Sequence, residues 1–165
     1  MATRSTIAVE IDDKDIGQIV AFDVNKTPHP EKYTEREVKI FSTHIRPVEI
    51  LGKYLVTYCH FDGYVTNGVG QELYTHFKDY NTVLNLVIGG EIQCIDRGVA
   101  GYYIVADSNR FGHDYIAPAQ TNREPELKFD YVYLFRDGRW LYKPWEDPGD
   151  WKELSEYFEN VKLYF

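Results

Sequence analysis

The chain predicts an α+β fold: a mostly antiparallel sheet with two or three helices packed on one face, as a single domain over residues 1–165. Three patterns lead there. Residues 3–11 alternate, with Thr3, Ser5, Ile7, Val9 and Ile11 on one face and Arg4, Thr6, Ala8 and Glu10 on the other. Asp137-Gly138 lies between the apolar runs 129–135 and 139–143, a strong hairpin signal. Val69, Leu73, Phe77 and Tyr80 recur at helical spacing. With 44% apolar residues, 165 residues suffice for one core.

The elements follow in order. Residues 3–11 read as a half-buried strand. Asp12-Asp13-Lys14-Asp15 reads as a turn into a second strand, Ile16 to Val24, and the two strands are expected to form a hairpin. Residues 25–35, with two prolines, read as a loop. Residues 36–46 suit a further strand that Pro47 interrupts. The run KYLVTYCHFDGY is apolar on both faces and predicts a central strand, with His60 and Asp62 on the same side near its end. Thr66 or Asn67 is expected to cap a helix reaching about Tyr80, and Asn81 a shorter one that Gly89-Gly90 stops. Residues 99–106 read as a buried strand, and residues 107–126 as an irregular segment able to act as a lid. Asp147-Pro148 predicts a last helix with Trp151, Leu154, Tyr157 and Val161 as its buried stripe.

Composition narrows the function classes. The net charge of -8, with no Lys/Arg cluster, argues against direct nucleic-acid binding, which draws on phosphate contacts. The opening MATRSTIAVEIDD has no long apolar run, so neither a signal peptide nor a membrane anchor is expected, and a cytoplasmic location follows. Cys59 and Cys94 are expected to remain thiols there. Aromatic residues make up 16% of the chain, and tyrosine suits interfaces as well as cores. Tyr131, Tyr133 and Phe135 share one hairpin face, Val132 and Leu134 the other. Such a hairpin needs cover on both sides, and a second subunit is the expected cover for one: a homo-oligomer.

The candidate site is the strand-to-helix corner CHFDGYVTNGVG. Gly63 permits a sharp turn, Asp62 can accept backbone N–H groups, and Gly68 and Gly70 would let an anion approach a helix N-terminus. Arg4, with Ser5 beside it, would offer a fork to phosphate or carboxylate if the first strand lies alongside, and Tyr64 a ring for stacking. Together Arg4, Ser5, His60, Asp62, Gly63, Tyr64, Asn67, Gly68 and Gly70 form the expected ligand-binding set. The bland alternative makes Asp62 a helix cap and His60 a satisfied histidine. No nucleophile motif, no metal-ligand spacing and no cofactor fingerprint appears.

The segments MATRSTIAV, YCHFDGY, G-x-x-L-x-x-H-F and YVYLFRDGRW resemble a family of small proteins carried by tailed phages and prophages. The match covers about two thirds of the chain, through Thr3, Arg4, Ser5, His60, Asp62, Gly63, Tyr64, Gly70, Leu73, His76 and Trp140. Phe61 stands where the family carries Trp and Val65 where it carries Pro, and residues 23–50 are longer than usual. The resemblance implies work inside an infected bacterium, against host defence or on host metabolism. The expected function is a non-enzymatic accessory protein that sequesters a small anionic ligand such as a nucleotide defence signal. The alternatives are an inhibitor that binds a host protein through its acidic helix or aromatic hairpin, and a His/Asp-dependent nucleotide hydrolase.

Overall fold

The computed structural model describes residues 2–23, 26–32, 45–102 and 116–162, those at 21–23, 26–32, 45–46 and 161–162 through their backbone alone. It is an α+β fold with a mixed, mostly antiparallel sheet. The middle of the main sheet is β1 (Ser5–Glu10), antiparallel to β5 (Tyr54–Cys59) and parallel to β9 (Tyr131–Arg136). β1 is buried on both faces, rather than half-buried, because Ile7 and Val9 enter the core under the helices and Ala8 a second core on the other face. It also has no edge left for the expected hairpin with the next strand.

That strand, β2 (Ile19–Asp23), joins β3 (Lys26–Lys32) and β4 (Ile45–Glu49) in a separate three-stranded sheet. A 3-10 turn at Asp13–Asp15 carries the chain out of the main sheet. Both neighbours of β2 are edge strands, which is why prolines are tolerated: Pro47 lies inside β4, and Pro28 and Pro30 inside β3, where a loop is expected. The β2–β3 pairing shifts between Ala21 and Asp23, so these two prolines fall in its irregular part. Residues 33–44, most of the further strand expected before Pro47, lie outside the described residues.

The helices cover one face of the main sheet. They are α1 (Val69–His76), α2 (Tyr80–Ile88) and α3 (Leu154–Lys162). Ile7, Val9, Leu55, Leu73, Leu84, Ile88, Tyr133 and Leu154 form the large core between sheet and helices. The helix expected to reach Tyr80 stops at His76, because Asp79 starts a new one: Thr82 N and Thr82 Oγ1 each donate to its carboxylate at 2.8 Å. Asn81 therefore lies within α2 instead of capping it. At the far edge, β6 (Ile92–Asp96) and β7 (Val99–Tyr102) turn at Arg97 and Gly98, both with positive φ, and Glu72 accepts from both their N–H groups. Val99 is exposed, so β7 is an edge strand; the rest of the expected buried strand is not among the described residues. The hairpin of β9 and β10 (Arg139–Pro144) forms as predicted, with φ of 53° and 77° at Asp137 and Gly138.

The last helix begins at Leu154, not at Pro148. Before it, Lys152 and Glu153 pair with β10 as a short strand, β11, and Trp151 turns to the opposite face of the sheet. On that face Ala8, Tyr54, Leu134 and Leu141 form a small second core, against which Val56 and Trp151 pack. The hairpin side assigned to a second subunit by the sequence is thus covered in part by the chain itself.

Candidate functional site

The strand-to-helix corner is closed by its own backbone. β5 ends at Cys59, and Asp62 takes φ 57°, which ends the alternation that would keep it beside His60. The Asp62 carbonyl accepts from Val69 N at 2.7 Å, and the Tyr64 carbonyl from Gly70 N at 3.0 Å. Asn67 N donates to Gln71 Oε1 at 2.9 Å. The N–H groups of Val69 and Gly70, the first two of α1, are therefore used inside the corner, and Asp62 caps through its carbonyl, with no side-chain cap bond.

The glycines serve contact between backbones. A Cβ on Gly68 would meet the Asp62 carbonyl oxygen at 2.4 Å, and one on Gly70 the Val65 Cα at 2.7 Å. Gly63 lies against Thr3 and Arg4, donates to Thr3 O, and accepts from the Tyr133 hydroxyl at 2.6 Å. Gly63, Gly68 and Gly70 are buried, while Asp62, Tyr64 and Asn67 are exposed around them. Ser5 is fully buried against Cys59.

The first strand does lie beside β5, as the Arg4 expectation required. Arg4 borders a small hollow with Ala2, Phe129 and Asp130, and its N–H donates to Asp130 Oδ2 at 3.0 Å. Tyr58 bonds His60, hydroxyl to Nδ1, at 2.6 Å, and its ring packs on Phe129 with centroids 5.1 Å apart. Burial pushes the Tyr58 phenol up, and the Arg4 charge partly opposes this. Arg4 and His60 thus belong to the end of the sheet marked by Tyr58 and Phe129. Phe129 is also a wall of a larger pocket of about 570 Å³.

That pocket lies where the pairing of β5 changes partner. Tyr54–Val56 pair with β8 (Ala119–Thr121), and Cys59 pairs with Ile92 of β6. Thr57 and Tyr58 fall between these registers, and both line the cavity. Val56, Pro118 and Pro125 give apolar walls; Arg123 and Lys128 bring cations, which Glu91 and Glu126 partly offset. Among the described residues neither cation forms an ion pair, and nor does Arg4. Glu124 is engaged elsewhere, accepting from Trp151 Nε1 at 2.6 Å and lying 3.6 Å from Arg136.

β8 is fastened by carboxamides. Gln120 Oε1 accepts from Leu51 N and Gly52 N at 2.8 Å, its Nε2 donates to Glu49 O at 2.8 Å, and Asn122 Oδ1 accepts from Lys53 N at 3.1 Å. Sequence reasoning marked residues 107–126 as an irregular lid, which takes in this wall, but it missed that Ala119–Thr121 form a strand, and it missed Thr6, Tyr58 and Phe129. The paired prolines at 118 and 125 were a signal for an ordered strap. The contacts themselves span about 70 residues and leave no local pattern.

Burial pushes the Cys59 thiol up to about 12, so it is not a thiolate nucleophile. No group of three or more His, Cys, Asp or Glu able to hold a metal occurs among the described residues. No helix there is long and apolar enough to cross a membrane. No family model, curated protein or solved structure matches the chain.

Proposed function

We propose that the protein binds a small anionic, ring-bearing ligand such as a nucleotide in the pocket beside Tyr58 and releases it unchanged. The observation that carries this reading is a cavity of about 570 Å³ at the break in β5 pairing, walled by Tyr58 and Phe129 and lined by Arg123 and Lys128, with Arg4 in the adjoining hollow across Phe129; among the described residues none of the three cations forms an ion pair. Its volume lies in the usual range for small-molecule sites. The rings offer stacking area, and guanidinium groups suit phosphate. The corner from His60 to Gly70 then serves mainly to hold the strand ends in register, with His60 supporting Tyr58. By the resemblance to phage proteins, the ligand would be a nucleotide defence signal and the effect its sequestration in the cytoplasm of an infected bacterium, by a homo-oligomer.

The test is native mass spectrometry of protein purified from bacterial cells, followed by denaturation and analysis of what is released. The expected result is a stoichiometric phosphorylated compound, recovered intact, that is lost from Arg4→Ala and Lys128→Ala proteins of unchanged melting temperature. The same spectrum gives the subunit count. A bare protein, or one carrying a host polypeptide, would shift the reading to a protein-binding inhibitor, and recovered product to a hydrolase.

A further inference from the structure

We infer that the closed side of this pocket reads the ring of the ligand through Thr6, selecting rings with a hydrogen-bonding edge, as nucleobases have; this rests on the sequestering reading. Thr6 sits mid-sheet, opposite Tyr58 of β5 and Val132 of β9, and lines the pocket. It is only 5% exposed, yet its Oγ1 has no hydrogen-bond partner among the described residues. Thr57, also on the pocket, shows the ordinary outcome: its hydroxyl donates to Gly90 O at 2.6 Å. Buried hydroxyls are normally bonded, so a covered, unpaired one on a residue that lines a cavity is a group left for something that enters it, once the side chain turns it toward the space.

The surroundings set what that is. Val56, Pro118, Pro125 and Phe129 favour the faces of a flat ring, whereas Arg123, Lys128 and Arg4 lie where a charged group can remain. A single χ1 step moves the hydroxyl between staggered positions, letting it donate or accept. A free anion is disfavoured at Thr6, because the apolar walls of Val56, Pro118, Pro125 and Phe129 would strip it of water. The ligand therefore enters ring first, with its anionic part left among the cations.

Calorimetric titration of the full chain with AMP, GMP, CMP, UMP, ribose 5-phosphate and inorganic phosphate tests this. At least one nucleotide should bind roughly tenfold or more tightly than ribose 5-phosphate, since a buried polar group left unpaired penalises a ligand lacking its partner. Thr6→Val, isosteric but without the hydroxyl, should weaken that nucleotide about tenfold, leave phosphate binding unchanged, and keep or raise the melting temperature. Thr6→Ser should bind like the wild type. If ribose 5-phosphate matches every nucleotide, or Thr6→Val binds nucleotide normally, the ring-edge inference is overturned while the anion-binding reading stands. If no probe binds, both are overturned. Should Thr6→Val not fold, the wild-type ratio of nucleotide to ribose 5-phosphate decides alone.

Discussion

Among the described residues four that are not glycine, Asp62, Asn67, Arg97 and Asp137, have positive φ, and each turns the chain where a strand or helix must begin or end. Asp and Asn tolerate this region better than most residues. The Asp137-Gly138 turn was legible because its chemistry is local. Asp62 was misread: alternation puts it beside His60, and one left-handed residue undoes that. Two glycines of the same look have different duties. At Gly138, φ is 77° and a Cβ would have open space; at Gly68 the backbone is extended, but a Cβ would strike two carbonyl oxygens at 2.4 and 2.6 Å. Gly138→Ala should therefore cost about 1 kcal/mol in urea denaturation, and Gly68→Ala about 2 kcal/mol or more. Equal losses would mean the corner gives way easily.

Among elements, α1 and α2 separate two ways of starting a helix. Asp79 caps α2 with its carboxylate, whereas α1 starts from the carbonyls of Asp62 and Tyr64. Asp79→Ala should lose about 1 kcal/mol of stability. Asp62→Asn should lose nothing measurable, because no cap bond is removed and Asn tolerates the same φ. A comparable loss at Asp62, read by the same denaturation midpoint, would return the capping role to its carboxylate. The stripe Val69, Leu73, Phe77 was legible and is buried. The helix break at Asp79 was not, since the stripe runs through it without a change of phase.

Across the whole molecule, the strap at residues 116–129 and Trp151 lie on the sheet face that the helices leave open. Their junction is Glu124, bonded to Trp151 and near Arg136. The Trp151 N–H bond holds the Glu124 carboxyl below the ordinary glutamate range, and the Arg136 and Lys143 charges act in the same direction. A depressed folded-state value means stability that is complete above the unfolded pKa and lost as pH falls through the folded one. Glu124 is half-exposed, so the effect is modest. In melting curves, wild type should exceed Glu124→Gln at neutral pH, and the gap should close as pH drops below the ordinary glutamate pKa. A gap that ignores pH would remove Glu124 from this role.

What the sequence by itself determined is the local chemistry: the fold class, the central β5 strand, the apolar stripe of α1, the Asp-Gly hairpin and the corner motif. Each depends on residues a few positions apart, whose backbone preferences and periodicity act before any long-range contact forms. Only the tertiary structure decided that β1 pairs with β5 and β9, that prolines fall on edge strands, that Trp151 crosses the sheet, and that a pocket opens where β5 changes partner. Those outcomes depend on which strand edges are already occupied, and on backbone and side-chain hydrogen bonds between residues far apart in the chain. No periodicity encodes either one, because each is settled by competition among whole elements for the same buried surface.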